Sequence, residues 1–166
     1  LMALERLAPR RALRQPQARR WLTNLALVVI DALAVRAAAF ALPILATLAA
    51  VDAAAQGAGL FNRLALPPWL ELALALLILD FAIWVQHLVT HKVPLFWRFH
   101  RVHHADPDID VTTALRFHPV EILASAALKV GLVYVIGPSV LAVVLFEVIL
   151  NATSMFNHAN LRLPRG

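Results

Sequence analysis

The sequence predicts an all-α integral membrane bundle of about four apolar helices, the last two forming a hairpin, with a short histidine-rich cap at one end. Three observations predict it. The 166-residue chain is 61% hydrophobic with a mean hydropathy of +0.73, whereas soluble domains are about 45–50% apolar. Its apolar residues gather in runs close to or above the ~20 residues that cross a bilayer. Twelve of its 15 basic residues fall outside those runs and on one side of them, as the positive-inside rule expects; the others are Arg36, Arg63 and Lys129.

The elements follow in order. Residues 1–20 carry Arg6, Arg10, Arg11, Arg14, Arg19 and Arg20 against Glu5; of 15 basic and 10 acidic residues in the chain, nine of each remain beyond residue 20. The +5 excess therefore sits wholly ahead of the first apolar run. There it reads as a topology signal on an anionic leaflet, and no nucleic-acid partner is expected. The expected organisation is a basic cytoplasmic tail over 1–20 and a membrane domain over 21–166. Residues 22–51 form the first apolar stretch, interrupted by Asp31 and Arg36 and open to a kink at Pro43. Its length argues for an uncleaved anchor rather than a signal peptide, whose apolar core is about 7–15 residues. Residues 52–68 read as a loop with Gly57, Gly59 and Pro67–Pro68 as breakers. Trp69 then stands where an interfacial aromatic belongs, and 70–89 is the second span. Residues 90–119 are too charged to span. Runs 120–136 and 139–156, separated by Gly137-Pro138-Ser139, read as a hairpin, with Lys129 and Glu147 expected to face the bundle interior.

The charge rule places residues 1–20, 90–119 and 157–166 on the cytoplasmic side, in what is expected to be a bacterial inner membrane. All seven histidines then lie at or near one face, although no histidine entered that reasoning.

Five of the seven fall between His87 and His104, as H-x3-H and H-x2-H-H. On a helix, residues three and four apart share a face, so His87 and His91 point together, as do His100 and His103 or His104. Pro94 separates the pairs, allowing two helices to converge. Imidazole suits iron, zinc, copper and nickel. With no cysteine in the chain, thiolate metal sites and Cys-ligated iron–sulfur clusters are excluded. Asp80, two turns before His87, is a candidate acceptor behind His87 or His91. Asp106, Asp108 and Asp110 are expected in a solvated turn. His118 is an uncertain candidate: it could be a ligand, or it could bond Glu121 or a lipid head group. His158, after the last apolar run, returns to the same face and is expected as a ligand.

These residues resemble the fatty acid hydroxylase / sterol desaturase superfamily of membrane oxygenases. The matching pieces are Asp80, His87–His91, "LFWRFHRVHH" (95–104), "TTALRFHPVE" (112–121) and "FNHANLRLP" (156–164), in the family's order. The resemblance implies a helical membrane fold, a cytoplasmic di-iron site (zinc can replace iron in purified material), and O2-dependent hydroxylation or desaturation of a lipid. It also implies metal-ligand roles for His87, His91, His100, His103 and His104, and a place at the site for His158. Electrons are expected from an external donor. The chain departs from the family pattern at Trp84 and Leu88, and at its end. The family carries a further H-x2-H-H shortly after the F-x-H-x-N element, and here the sequence stops at Gly166. The expectation is a truncated copy, or one that binds metal incompletely. The rival readings are a histidine-rich membrane protein that binds or transports metal without oxygenase activity, and a metal-free scaffold.

Overall fold

The computed structural model describes residues 1–39 and 46–163. Among them the chain is helical, with helices α1 (Met2–Leu7), α2 (Gln17–Ala39), α3 (Ala46–Gln56), α4 (Pro68–Lys92), α5 (Pro94–His104), α6 (Pro119–Ile136) and α7 (Val140–His158). Short 3-10 turns occupy Phe61–Arg63 and Val111–Leu115. Proline opens α4, α5 and α6. Its fixed φ suits the first helical turn, where the missing N–H has no partner to lose. α6 ends on Gly137 in the left-handed region at φ 69°, a stop that glycine reaches without Cβ strain. Gly59 packs against it so closely that a Cβ there would overlap the Gly137 backbone nitrogen. Ser139 then caps α7 by accepting from the Ala142 N–H, and its own N–H donates to Glu71 at the start of α4.

α4, α6 and α7 are each long and apolar enough to cross a membrane. They bury little within the bundle and present Leu77, Phe81, Val135, Leu141 and Val148 outward, as a lipid-facing surface requires. The core is thin. Phe61, Ala75, Leu79, Ile136, Ala142 and Phe146 join α4 to α7, and Ala49, Ala50, Val133 and Val143 join α3, α6 and α7. Lys129 and Glu147 pair across the α6–α7 hairpin at 2.6 Å, half-buried.

The first apolar stretch is described as α2 and α3, on either side of residues 40–45, and its two parts run alongside α6 from one end to the other: Asn24 of α2 bonds Arg116, just before α6, and Asp52 of α3 bonds Tyr134 near its end. α3 also takes up residues expected in the following loop. Pro43 and the Arg36 side chain lie outside the described residues; Asp31 is buried.

The N-terminal segment and the three aspartates also differ. Instead of a solvated turn, Asp106, Asp108 and Asp110 are buried at their side chains. Arg20, 3% exposed, donates to Asp106 from Nε and Nη2 and to Asp110 from Nη1 at 2.7–2.9 Å. Burial works against the Asp106 charge, but hydrogen bonds from Arg20 and Asn24 outweigh it and hold the carboxyl below its ordinary value. Asp108 accepts the backbone N–H groups of Arg14 and Gln15. Residues 1–20 thus fold across the cap.

Candidate metal centre

α4 ends at Lys92 and α5 begins at Pro94, so the chain turns sharply between the two histidine pairs and brings them face to face. His87 and His91 are neighbours on α4 with Nε2 atoms 3.1 Å apart. From α5, the fully buried His100 places its Nε2 3.2 Å from that of His91, and His104 places its Nε2 3.2 Å from that of His100. His87, His91 and His100 each offer a ring nitrogen within 4.8 Å of the others. His103, one residue before His104 on α5, packs its ring beside those of His100 and His104 and meets His158 at the end of α7, Nε2 to Nε2, at 2.9 Å. Six of the seven histidines are therefore brought together by α4, α5 and α7.

The far side of three rings decides what this cluster can do. His100 Nδ1 lies 2.7 Å from Glu121 Oε1, His103 Nδ1 3.2 Å from the Arg116 carbonyl, and His158 Nδ1 2.7 Å from the Ser154 carbonyl. A carbonyl oxygen can only accept, so His103 and His158 must donate from Nδ1, and a neutral ring then keeps a bare lone pair on Nε2. Those two lone pairs confront each other at 2.9 Å. Only a shared proton or a cation turns that contact from repulsive to favourable. Burial, with the neighbouring imidazoles of His158, His104 and His100, pushes His103 down to about 3, so a proton is disfavoured. Inward Nε2 lone pairs backed by outward acceptors are the pattern of metal-ligating histidine. The residues fit a metal ion.

The other candidates stand apart. His118 caps α6, its Nδ1 accepting from the Val120 N–H, and its ring packs on Phe99. Asp80 is exposed on α4 and, among the described residues, bonds none of the histidines. The acceptor behind a ring of the cluster is Glu121 instead. The sequence carried only a weak sign of this, a carboxylate in the first turn of a helix directly after the H-P pair. The Arg116 and Ser154 carbonyls left none.

Beside the cluster, between α4, α5 and α6, lies an apolar cavity of about 580 Å³. It runs from Ile78 and Leu128 in the middle of the spans to Thr90, Phe99 and Glu121 at the histidine end. Its inner wall is thus made by residues next to, or bonded to, the clustered rings.

With this geometry in view, the chain is similar to two curated lipid-modifying proteins. It is 36% identical over 84 residues to alkylglycerol monooxygenase from Homo sapiens, covering 51% of this chain and 19% of that protein. It is 25% identical over 100 residues to an ornithine lipid hydroxylase from Rhizobium tropici, covering 60% of this chain and 30% of that one. The chain thus spans under a third of the length of either relative. No solved structure matches it. The family described as fatty acid hydroxylase matches residues 72–166, a stretch that holds all six clustered histidines, their acceptors and the apolar cavity; the chain belongs to the fatty acid hydroxylase family.

Proposed function

We propose that this chain holds the metal-binding part of a membrane-embedded enzyme that uses dioxygen and a pair of iron ions to hydroxylate or desaturate a lipid C–H bond. The observation that carries the reading is the opposed Nε2 pair of His103 and His158, each ring pinned from behind by a carbonyl. His87, His91, His100 and His104 would hold one ion, and His103 with His158 would contribute to a second. Bound iron supplies the means to activate dioxygen and attack an unactivated C–H bond.

The chain's own residues prepare that chemistry. Glu121 and the Arg116 and Ser154 carbonyls keep three Nδ1 protons in place, so the Nε2 lone pairs stay aimed inward. Burial keeps His103 unprotonated and available as a donor. The cavity lined by Ile78, Phe81, Val85, Phe99, Ala124 and Leu128 accepts an apolar chain entering from the bilayer and excludes water from it. Its histidine end sets which carbon comes nearest the metal. The histidine end faces the cytoplasm, where an external donor supplies electrons.

The test is metal analysis and isotope transfer. Protein expressed from its complete reading frame and purified in detergent is expected to carry about two iron or zinc ions per chain. With a reductant, iron and 18O2 it is expected to place 18O in a co-purified or added lipid, or to introduce a double bond. Absence of stoichiometric metal would overturn the reading. Bound metal with no change in any lipid would favour a metal-binding protein without oxygenase activity.

A further inference from the structure

Glu5 sits in α1 and is only 5% exposed. Its Oε1 accepts two backbone N–H groups, from Val111 at 2.9 Å and from Asn160 at 2.6 Å. Val111 opens the 3-10 turn that leads to Arg116, whose carbonyl holds His103. Asn160 lies two residues beyond His158. One carboxylate oxygen therefore ties the segment behind His103 to the segment behind His158, and among the described residues no other side chain bonds both.

The bonds around Glu5 extend this tie into a strap. The Asn160 side chain clasps the Arg11 backbone at both ends, Oδ1 accepting from its N–H and Nδ2 donating to its carbonyl. The Arg10 N–H donates to the Asn160 carbonyl and the Arg162 N–H to that of Ala8, and Pro9 pairs with Leu161 in an isolated β-bridge. The segment after His158 is thus held along residues 5–11.

Such a strap answers a physical need. The lone pairs of His103 and His158 repel at 2.9 Å, so before any ion binds their closeness must be maintained by contacts elsewhere. Ligands held ready in this way bind metal more tightly than ligands that must first be assembled. We infer that Glu5 is a positioning residue for the His103–His158 half of the metal centre, acting through the backbone of Val111 and Asn160. This rests on the metal-centre reading above. The bonds use Oε1 alone, while Oε2 is buried without a partner. The requirement is an acceptor at that point rather than a charge, and a glutamine satisfies it.

The experiment titrates metal-free protein, expressed from its complete reading frame, with Co2+ and follows visible absorption. The wild type is expected to take up about two ions. Glu5→Ala is expected to weaken one of them by about 10–100-fold, the range for residues supporting metal ligands, and to leave the other unchanged. Glu5→Gln is expected to restore wild-type binding. In a His158→Ala background, Glu5→Ala is expected to have no further effect on the remaining ion, because the two residues act on the same half of the site. Equal weakening of both ions overturns the inference, as does wild-type binding by Glu5→Ala; in the latter case the metal-centre reading stands. A wild type that binds no Co2+, Zn2+ or Fe2+ overturns that reading and this one together.

Discussion

At the scale of single residues, what each ring's Nδ1 touches separates the histidines. His103 gives its Nδ1 proton to a carbonyl and leaves Nε2 bare inside the cluster, whereas His118 spends Nδ1 as an acceptor at the start of α6. His103→Ala is therefore expected to lose one metal equivalent, measured by plasma emission on purified protein. His118→Ala is expected to keep all its metal and to lose about 1 kcal/mol of stability, the usual worth of an N-cap, read from thermal unfolding in detergent. His118→Asn, a good capping residue, is expected to recover that loss. Metal loss in His118→Ala would move it into the ligand set. The positions of His87, His91, His100, His103 and His104 were legible in the sequence because their spacing is local and helical. Their acceptors were not: Arg116, Glu121 and Ser154 reach the rings only through the packing of α5, α6 and α7. Asp80 had the helical spacing of an acceptor and lies on the exposed surface of α4.

At the scale of elements, the sequence made α4, α6 and α7 plain, since each is a predominantly apolar run opened by proline or serine. The proline between the histidine pairs likewise marked the break between α4 and α5. Pairing across distance is what it concealed. "ADPDID" has the local grammar of a solvated turn, and nothing nearby reveals that Arg20 enters it from the start of α2. The same arginine counted as part of a diffuse positive charge when read by composition. The pair of bonds to Asp106 with the single bond to Asp110 makes Arg20 the charged link between α2 and the cap, beside the neutral bonds of Trp21 and Asn24. Removing it leaves two buried carboxylates without their cation, held only by neutral donors such as Asn24, Trp21 and Thr112. Arg20→Met is expected to cost about 3–5 kcal/mol, the range for breaking a buried ion pair from one side, measured by thermal unfolding in detergent. Arg20→Lys is expected to recover little, because a single ammonium cannot reproduce the planar fork that serves both aspartates. A loss under about 1 kcal/mol for Arg20→Met, the scale of an exposed pair, would show that the link is dispensable.

At the scale of the whole molecule, arginine placement and histidine placement agree. The ends of α4 and α7, the whole of α5 and the start of α6 lie at one end of the bundle, where the histidines gather, while the Gly59–Gly137 contact closes the other. The apolar cavity connects the two regimes, since it opens among the spans and ends against Glu121 and Thr90. If it receives the lipid chain, its width governs lipid binding without touching the metal. Ala82 on α4 and Ala124 on α6 both line it, and a phenylalanine at either place projects a ring into the space a chain would fill. Displacing two or three methylenes costs about 2 kcal/mol at ~0.8 kcal/mol each, or about thirtyfold in affinity. Ala82→Phe and Ala124→Phe are therefore expected to weaken binding of a radiolabelled long-chain lipid by that factor and to raise KM more than they lower kcat. Both variants are expected to keep the wild-type metal content, because both alanines belong to the apolar wall of the cavity and supply no group to a ring. Unchanged lipid affinity in both variants would place the substrate chain outside this cavity; metal loss would show that the α4–α6 contact supports the centre as well as the chain.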